Sequence, residues 1–259
     1  MKKLTSIILT LTLLLTFTFA FAEDTATPST IRYEGPGFDT PADAVTCYMN
    51  GLKNLDFGQM LSAYAWETLA SHYSVEKYIK WIKAYSPASL PRMPAFNDFM
   101  ETANLHAFRA NETRLIYGAL ETYIMGDEYH NQMTVALTEE EEADAFLQKF
   151  DNGKLEQLSG MSDIIFLTPD LVTDGKFSLE QNQKSFKTQT ARYGADEVVN
   201  VVAVAVVGDG LIVCMPTVAR YGDRWYMVSC SSMTSNIMAI EVNRQAFMYM
   251  EGKVTDFFR

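Results

Sequence analysis

Apolar and polar positions follow two different periods along this chain, and the change of period divides it. From Thr40 to about Tyr85 the apolar residues recur at helical spacing. Thr40 reads as an N-cap, Pro41 suits a first turn and Asp43 complements the helix dipole. Val45, Tyr48, Met49 and Leu52 then mark one face. After a break at Asn54, Phe57, Met60, Leu61 and Tyr64 repeat the spacing. Ser74 caps a third helix with Tyr78, Trp81, Ile82 and Tyr85 on one side. An aromatic stripe of this kind is a core face, with a sugar- or aromatic-binding platform as the sharper alternative.

From Val198 the period is two. The runs 198–207, 211–218 and 225–231 predict three antiparallel strands in a meander, turned at Gly208-Asp209-Gly210 and at Tyr221-Gly222-Asp223-Arg224. The first run is apolar on both faces, as in a strand covered on both sides. Its face with Ala203 and Ala205 is the thinner one, which lets a helix approach closely or leaves room for a ligand. Ala203, Ala205, Tyr48 and Trp225 are therefore the candidate ligand-binding residues. Pro216 cannot donate to a ladder and predicts a bulge or an edge.

The middle is less regular. Pro87, Pro91 and Pro94 break the helical pattern, and Asn97 to Ala110 reads as a short helix. Glu112–Met125 and Tyr129–Leu137 read as a hairpin around Gly126-Asp127. Thr138 before Glu139-Glu140-Glu141-Glu142 reads as a helix start. Asn152-Gly153 is a turn and Ile164–Leu167 a short strand. Asp170–Lys176 is a loop, Ser178 caps a helix to about Tyr193, and Asn236–Met250 reads as a closing helix. The fold class is α+β: N-terminal helices packed on an antiparallel sheet that ends in the meander.

Composition adds an address. Lys2 and Lys3, the apolar run Ile7–Phe19 and Ala20-Phe21-Ala22 form a secretory signal peptide of bacterial type, cleaved after Ala22. The expected organisation is a signal peptide at 1–22, a flexible leader at 23–39 and a single α+β domain at 40–259, with an inserted middle segment at 87–177. No second apolar run is long enough to span a bilayer. The net charge of -11 makes nucleic acid and anionic membranes poor partners.

Three cysteines, Cys47, Cys214 and Cys230, do not make a disulfide scaffold. Cys214 and Cys230 are the candidate disulfide, and register decides it. A five-residue loop from Arg220 to Arg224 sets them opposite each other, whereas a two-residue loop slips them apart. The alternative is two buried thiols acting as small hydrophobes.

Two stretches resemble a family. The opening Asp39-Thr40-Pro41-Ala42-Asp43-Ala44-Val45 through Gly51-Leu52-Lys53-Asn54-Leu55-Asp56-Phe57 resembles the helical opening of cystatin-like α+β domains of the nuclear-transport-factor-2-like superfamily. Tyr221-Gly222-Asp223-Arg224-Trp225-Tyr226-Met227-Val228 is similar to their final strand. The resemblance implies a curved antiparallel sheet wrapped on a long helix around a cone-shaped cavity. Its members include isomerases, dehydratases and exported proteins with a binding or accessory role. It carries over no catalytic residue, and Gly58 to Arg220 is longer than a compact domain of this type needs.

No catalytic constellation stands out. His72, His106 and His130 have no metal-ligand spacing, and neither a nucleophile elbow nor a phosphate loop occurs. No metal or cofactor is expected. A Cys47 nucleophile lacks any neighbour that would lower its pKa. Asn111-Glu112-Thr113 matches a glycosylation sequon, which the bacterial leader makes irrelevant. The expectation is an exported non-enzymatic module for a small apolar ligand, a peptide or an envelope component, consistent with 14 Met and 12% aromatic residues. The alternatives are a small cavity enzyme of isomerase or dehydratase type, and a protein with a filled core that acts through its surface. A buried carboxyl with a raised pKa beside a hydrogen-bond donor would favour the enzyme.

Overall fold

The N-terminal helices form where their caps predict them. The structure, a computed structural model, describes residues 34–83, 97–125, 138–148, 153–167, 189–230 and 247–251. Helix α1 spans Pro41–Asn54, with the Thr40 hydroxyl accepting from the Asp43 amide, and stops at Leu55 in the left-handed region. Asp56 caps α2 (Phe57–Ser62), α3 spans Trp66–His72, and Ser74 caps α4 (Val75–Ile82). Helix α5 covers Asp98–Met125, α6 Glu140–Gln148 and α7 Lys154–Gln157. Residues 189–193 are helical and end at Tyr193.

Helix α5 corrects the reading of Glu112–Met125 as a hairpin strand. Its buried residues include Glu112, Ile116, Ala119, Leu120 and Tyr123, a helical stripe. β-Formers such as Ile116 and Tyr123 sit among Ala, Leu, Arg and Glu, and the packing of that stripe prevails over their propensity. The short helix expected at Asn97 to Ala110 is the first half of α5.

The strands are β1 (Ile165–Leu167), β2 (Glu197–Asn200), β3 (Val202–Val207), β4 (Gly210–Cys214), β5 (Thr217–Tyr221), β6 (Arg224–Ser229) and β7 (Met248–Glu251). They form two antiparallel sheets among the described residues, in the orders β1-β3-β4-β7 and β2-β5-β6. The architecture is α+β. The meander is present, but its first two strands each divide between the sheets. The break falls at Val201 in one and at Met215-Pro216 in the other, where Val201 N donates to Pro216 O at 3.1 Å. Pro216 has no amide for the ladder, and a register shift follows at Thr217/Val218, so the paired ribbon bends there.

Both turns of the ribbon are two residues long. Val207 pairs with Gly210 and Tyr221 with Arg224. Gly208 and Gly222 take positive φ (55° and 63°) at the first central position, the geometry of type II′ turns.

Two further expectations are corrected. Residues 248–251 are strand β7 beside β4, so the closing element is not helical there; the rest of Asn236–Met250 lies outside the described residues. Glu34 to Asp39, assigned to the flexible leader, is fastened to the fold. Gly35 N donates to Ser62 O at 3.0 Å, Phe38 and Trp225 exchange amide bonds, and Asp39 pairs with Arg224. The sequence assignment missed it because these contacts join residues far apart in the chain. The signal peptide and the leader to residue 33, the breaker at Pro87–Pro94, Tyr129–Leu137, Asp170–Lys176 and Ser178 lie outside the described residues. No described helix is long and apolar enough to cross a membrane.

The main core joins α1, α5 and both sheets. Val45, Tyr48, Met49, Leu52, Ile116, Ala203, Ala205, Ile212, Val218 and Met227 are among its fully buried members. Helix α1 lies on β5 and β6, while α5 packs against α3, α7 and β7.

Candidate functional site

A carboxyl group sits inside this core. Glu112 belongs to the apolar stripe of α5 and is 3% exposed. Its Oε2 accepts from Cys230 N and from Cys230 Sγ, both at 3.1 Å, and its Oε1 from Asn111 Nδ2 at 3.4 Å. Burial pushes its pKa above the ordinary carboxyl value, against the pull of the bonds from Cys230 and Asn111 and of the nearby Tyr64. Cys230 lies just past β6, so the end of that strand delivers both an amide and a thiol to the helix.

Two tyrosines complete the cluster. Tyr48 comes from α1 and Tyr64 from the short segment after α2, which pairs with Met227 of β6. Their rings meet edge-on at 6.1 Å, and Tyr64 stacks on Trp66 at 4.8 Å. Both side chains are fully buried; the Tyr48 hydroxyl has no hydrogen-bond partner among the described residues, whereas the Tyr64 hydroxyl lies within reach of Glu112 and Cys230. Glu112 and Cys230 lie close to both hydroxyls. Burial raises the pKa of both tyrosines and of Cys214 and Cys230, and Glu112 raises Cys230 further. At neutral pH the thiols and phenols therefore hold their protons. The cluster offers hydrogen-bond donors and a carboxyl group, and no thiolate.

The structure brings three of the four candidate ligand-binding residues into the main core. Ala203, Ala205 and Tyr48 are buried there. Trp225 is half-buried at the margin, with the Arg220 guanidinium 5.8 Å from its ring centroid. Cys214 and Cys230 are free thiols in this structure. The two-residue turn and the register shift at Thr217/Val218 pair Thr217 with Ser229, which is not the register that sets Cys214 opposite Cys230. Cys47 is half-buried near Gln59 O and Ser62 Oγ, both at 3.7 Å, and burial raises its pKa. His72 Nδ1 bonds Thr68 O at 2.8 Å. No group of three or more metal-ligating side chains occurs among the described residues.

The sequence reading missed Glu112 because it assigned the segment to a strand. The available signal was a lone acid on the helical stripe with Ile116, Ala119 and Tyr123.

No known family's sequence profile matches the chain, and no curated protein matches it significantly. Among solved structures it is similar to a cystatin-like protein from Ruminococcus gnavus ATCC 29149, with a TM-score of 0.42 and 11% identity. The match covers 82% of this chain and 45% of that one. The chain thus spans less than half the length of that protein.

Proposed function

We propose that this is an exported, non-enzymatic binding module for a small apolar ligand that carries one neutral oxygen. The observation behind the reading is the buried, unpartnered Tyr48 hydroxyl, with the Tyr64 hydroxyl beside Glu112 as a second phenolic donor. A buried polar group without a partner costs about 1–3 kcal/mol. One such hydroxyl, with a second phenol and a carboxyl group near it, suits a carbonyl or alcohol oxygen held by phenolic donors. Tyr48, Tyr64, Trp66, Met60 and Met227 give the surroundings the apolar, adaptable character that such a ligand body needs. A ligand carboxylate is disfavoured, because it would bring a second acid into the same dry cluster.

The test uses the chain expressed with its own leader, so that mass spectrometry also reads cleavage after Ala22. Decanone, decanol and decanoic acid are titrated by calorimetry. Decanone and decanol should saturate and decanoic acid should not. Tyr48→Phe and Tyr64→Phe should each weaken binding by about tenfold, on the order of one neutral hydrogen bond. Absence of saturable binding by both neutral probes would overturn the reading.

One observation favours a second reading, a proton-transfer enzyme. Glu112 has the raised pKa and neighbouring donors of a general base poised beside an oxygen-holding pair. In that case Glu112 would take a proton from the carbon next to a carbonyl while the tyrosines hold the developing oxyanion. Exchange of decanone α-hydrogens in deuterated water, followed by NMR, separates the two. Exchange that disappears in Glu112→Gln while binding persists supports the enzyme; binding without exchange supports the module.

A further inference from the structure

A second buried carboxyl group lies away from this cluster. Glu34 is 6% exposed. Its Oε2 accepts from Thr68 N at 3.0 Å, and its Oε1 accepts from the Thr68 hydroxyl. It also meets the carboxyl group of Glu67 on α3 within hydrogen-bonding reach. Glu67 Oε1 is held by Arg109 Nη2 at 2.6 Å, but Glu67 Oε2 is buried and has no donor among the described residues. Two carboxyl groups in contact are both acceptors when ionised. A proton on Glu34 gives the orphaned oxygen its partner and removes the repulsion of like charges.

We propose that a proton on Glu34, donated to the orphaned oxygen of Glu67, is a latch fastening residues 34–38 to α3 in acid and releasing them as pH rises. The charged and titratable groups around the pair are Arg109 of α5, which neutralises one unit of charge, and His72 of α3, bonded to the Thr68 carbonyl. Arg109 offsets one carboxylate and leaves the second uncompensated. Beyond the latch the segment is held by Gly35 N to Ser62 O at 3.0 Å and by the Phe38–Trp225 pair. Release therefore runs from Glu34 inward, with Gly35 freed before Phe38. Burial and Glu67 raise the Glu34 pKa above its ordinary 4.5, against the pull of the Thr68 bonds. A raised folded-state pKa means that the hold is complete in acid and is removed as pH climbs through that raised value.

Hydrogen exchange on the full chain tests this, corrected for the intrinsic pH dependence of exchange. The Gly35 amide is read against the Met227 amide, which bonds Ala63 O in the core. Between pH 4.5 and neutrality, Gly35 protection should fall by about tenfold, while Met227 falls less. Glu34→Gln supplies a non-titrating donor to Glu67 and should hold Gly35 equally at both pH values. Glu67→Gln does the same from the other side and keeps an oxygen for Arg109. Equal wild-type protection at both pH values overturns the latch, as does the same loss in both glutamine variants.

Discussion

Glu112 is the side chain whose chemistry departs furthest from its sequence neighbours. Its neutral form is favoured in the folded state because burial outweighs four donor contacts, two from Cys230 and one each from Asn111 and Tyr64. Its folded pKa is thus raised, so its contribution is complete in acid and is lost as pH climbs past the raised value. A tenfold change in proton affinity corresponds to about 1.4 kcal/mol. Glu112→Gln keeps an acceptor for Cys230 and cannot ionise. Thermal melts across pH should show wild type losing stability above about pH 4.5 more steeply than Glu112→Gln, with the curves converging in acid. Parallel curves would refute a proton-holding Glu112. Gly37 makes a different residue-scale prediction. Its φ is +79°, and an added Cβ would lie 2.6 Å from the Tyr226 ring. Gly37→Ala should cost on the order of 1–3 kcal/mol in a urea melt with an unchanged slope.

Among the elements, the short helices are the most local in origin. Thr40, Asp56 and Ser74 each accept from an amide three residues on. Thr40→Ala should therefore lower stability by about 1 kcal/mol, read as a shift of the denaturation midpoint. These caps were legible in the sequence because both partners lie within one turn. The meander was legible for a related reason, since two-residue glycine turns fix its strands locally. Helix α5 was not, because Ile116, Tyr117 and Tyr123 suit either period and only the packing of the stripe decides between them. The division of the ribbon was half legible: Pro216 announced an irregularity, but its assignment to two sheets depends on β1 and β7, which are remote in sequence. The site was legible only in part. Ala203, Ala205 and Tyr48 were marked by pattern, whereas the meeting of Glu112 with Cys230 spans 118 positions.

At the scale of the molecule, the described residues from Glu34 onward belong to one compact unit. The bent ribbon ties its two sheets through shared strands, so β2-β5-β6 and β1-β3-β4-β7 are mechanically coupled at Val201 and Pro216. Helix α1 bears on one of them and the C-terminal half of α5 on the other, through β7. The Glu112 cluster lies where these layers meet, which is why the residues that build it come from α1, the segment after α2, α5 and the end of β6.

The outer side of β6 carries a consequence of its own. Phe38 occupies it at Trp225, and residues 63–65 occupy it at Met227. A strand with bare amides and carbonyls is a template on which another chain can crystallise, copy upon copy. Here the segment at Phe38 acts as a stopper on half of that template. A variant cut to begin at Asp39 should keep its helices by circular dichroism yet self-associate, with light scattering that grows with concentration; a monodisperse monomer would show the stopper to be dispensable. Whatever loosens residues 34–38, a protease or a rise in pH, would then open that edge to other copies of the chain.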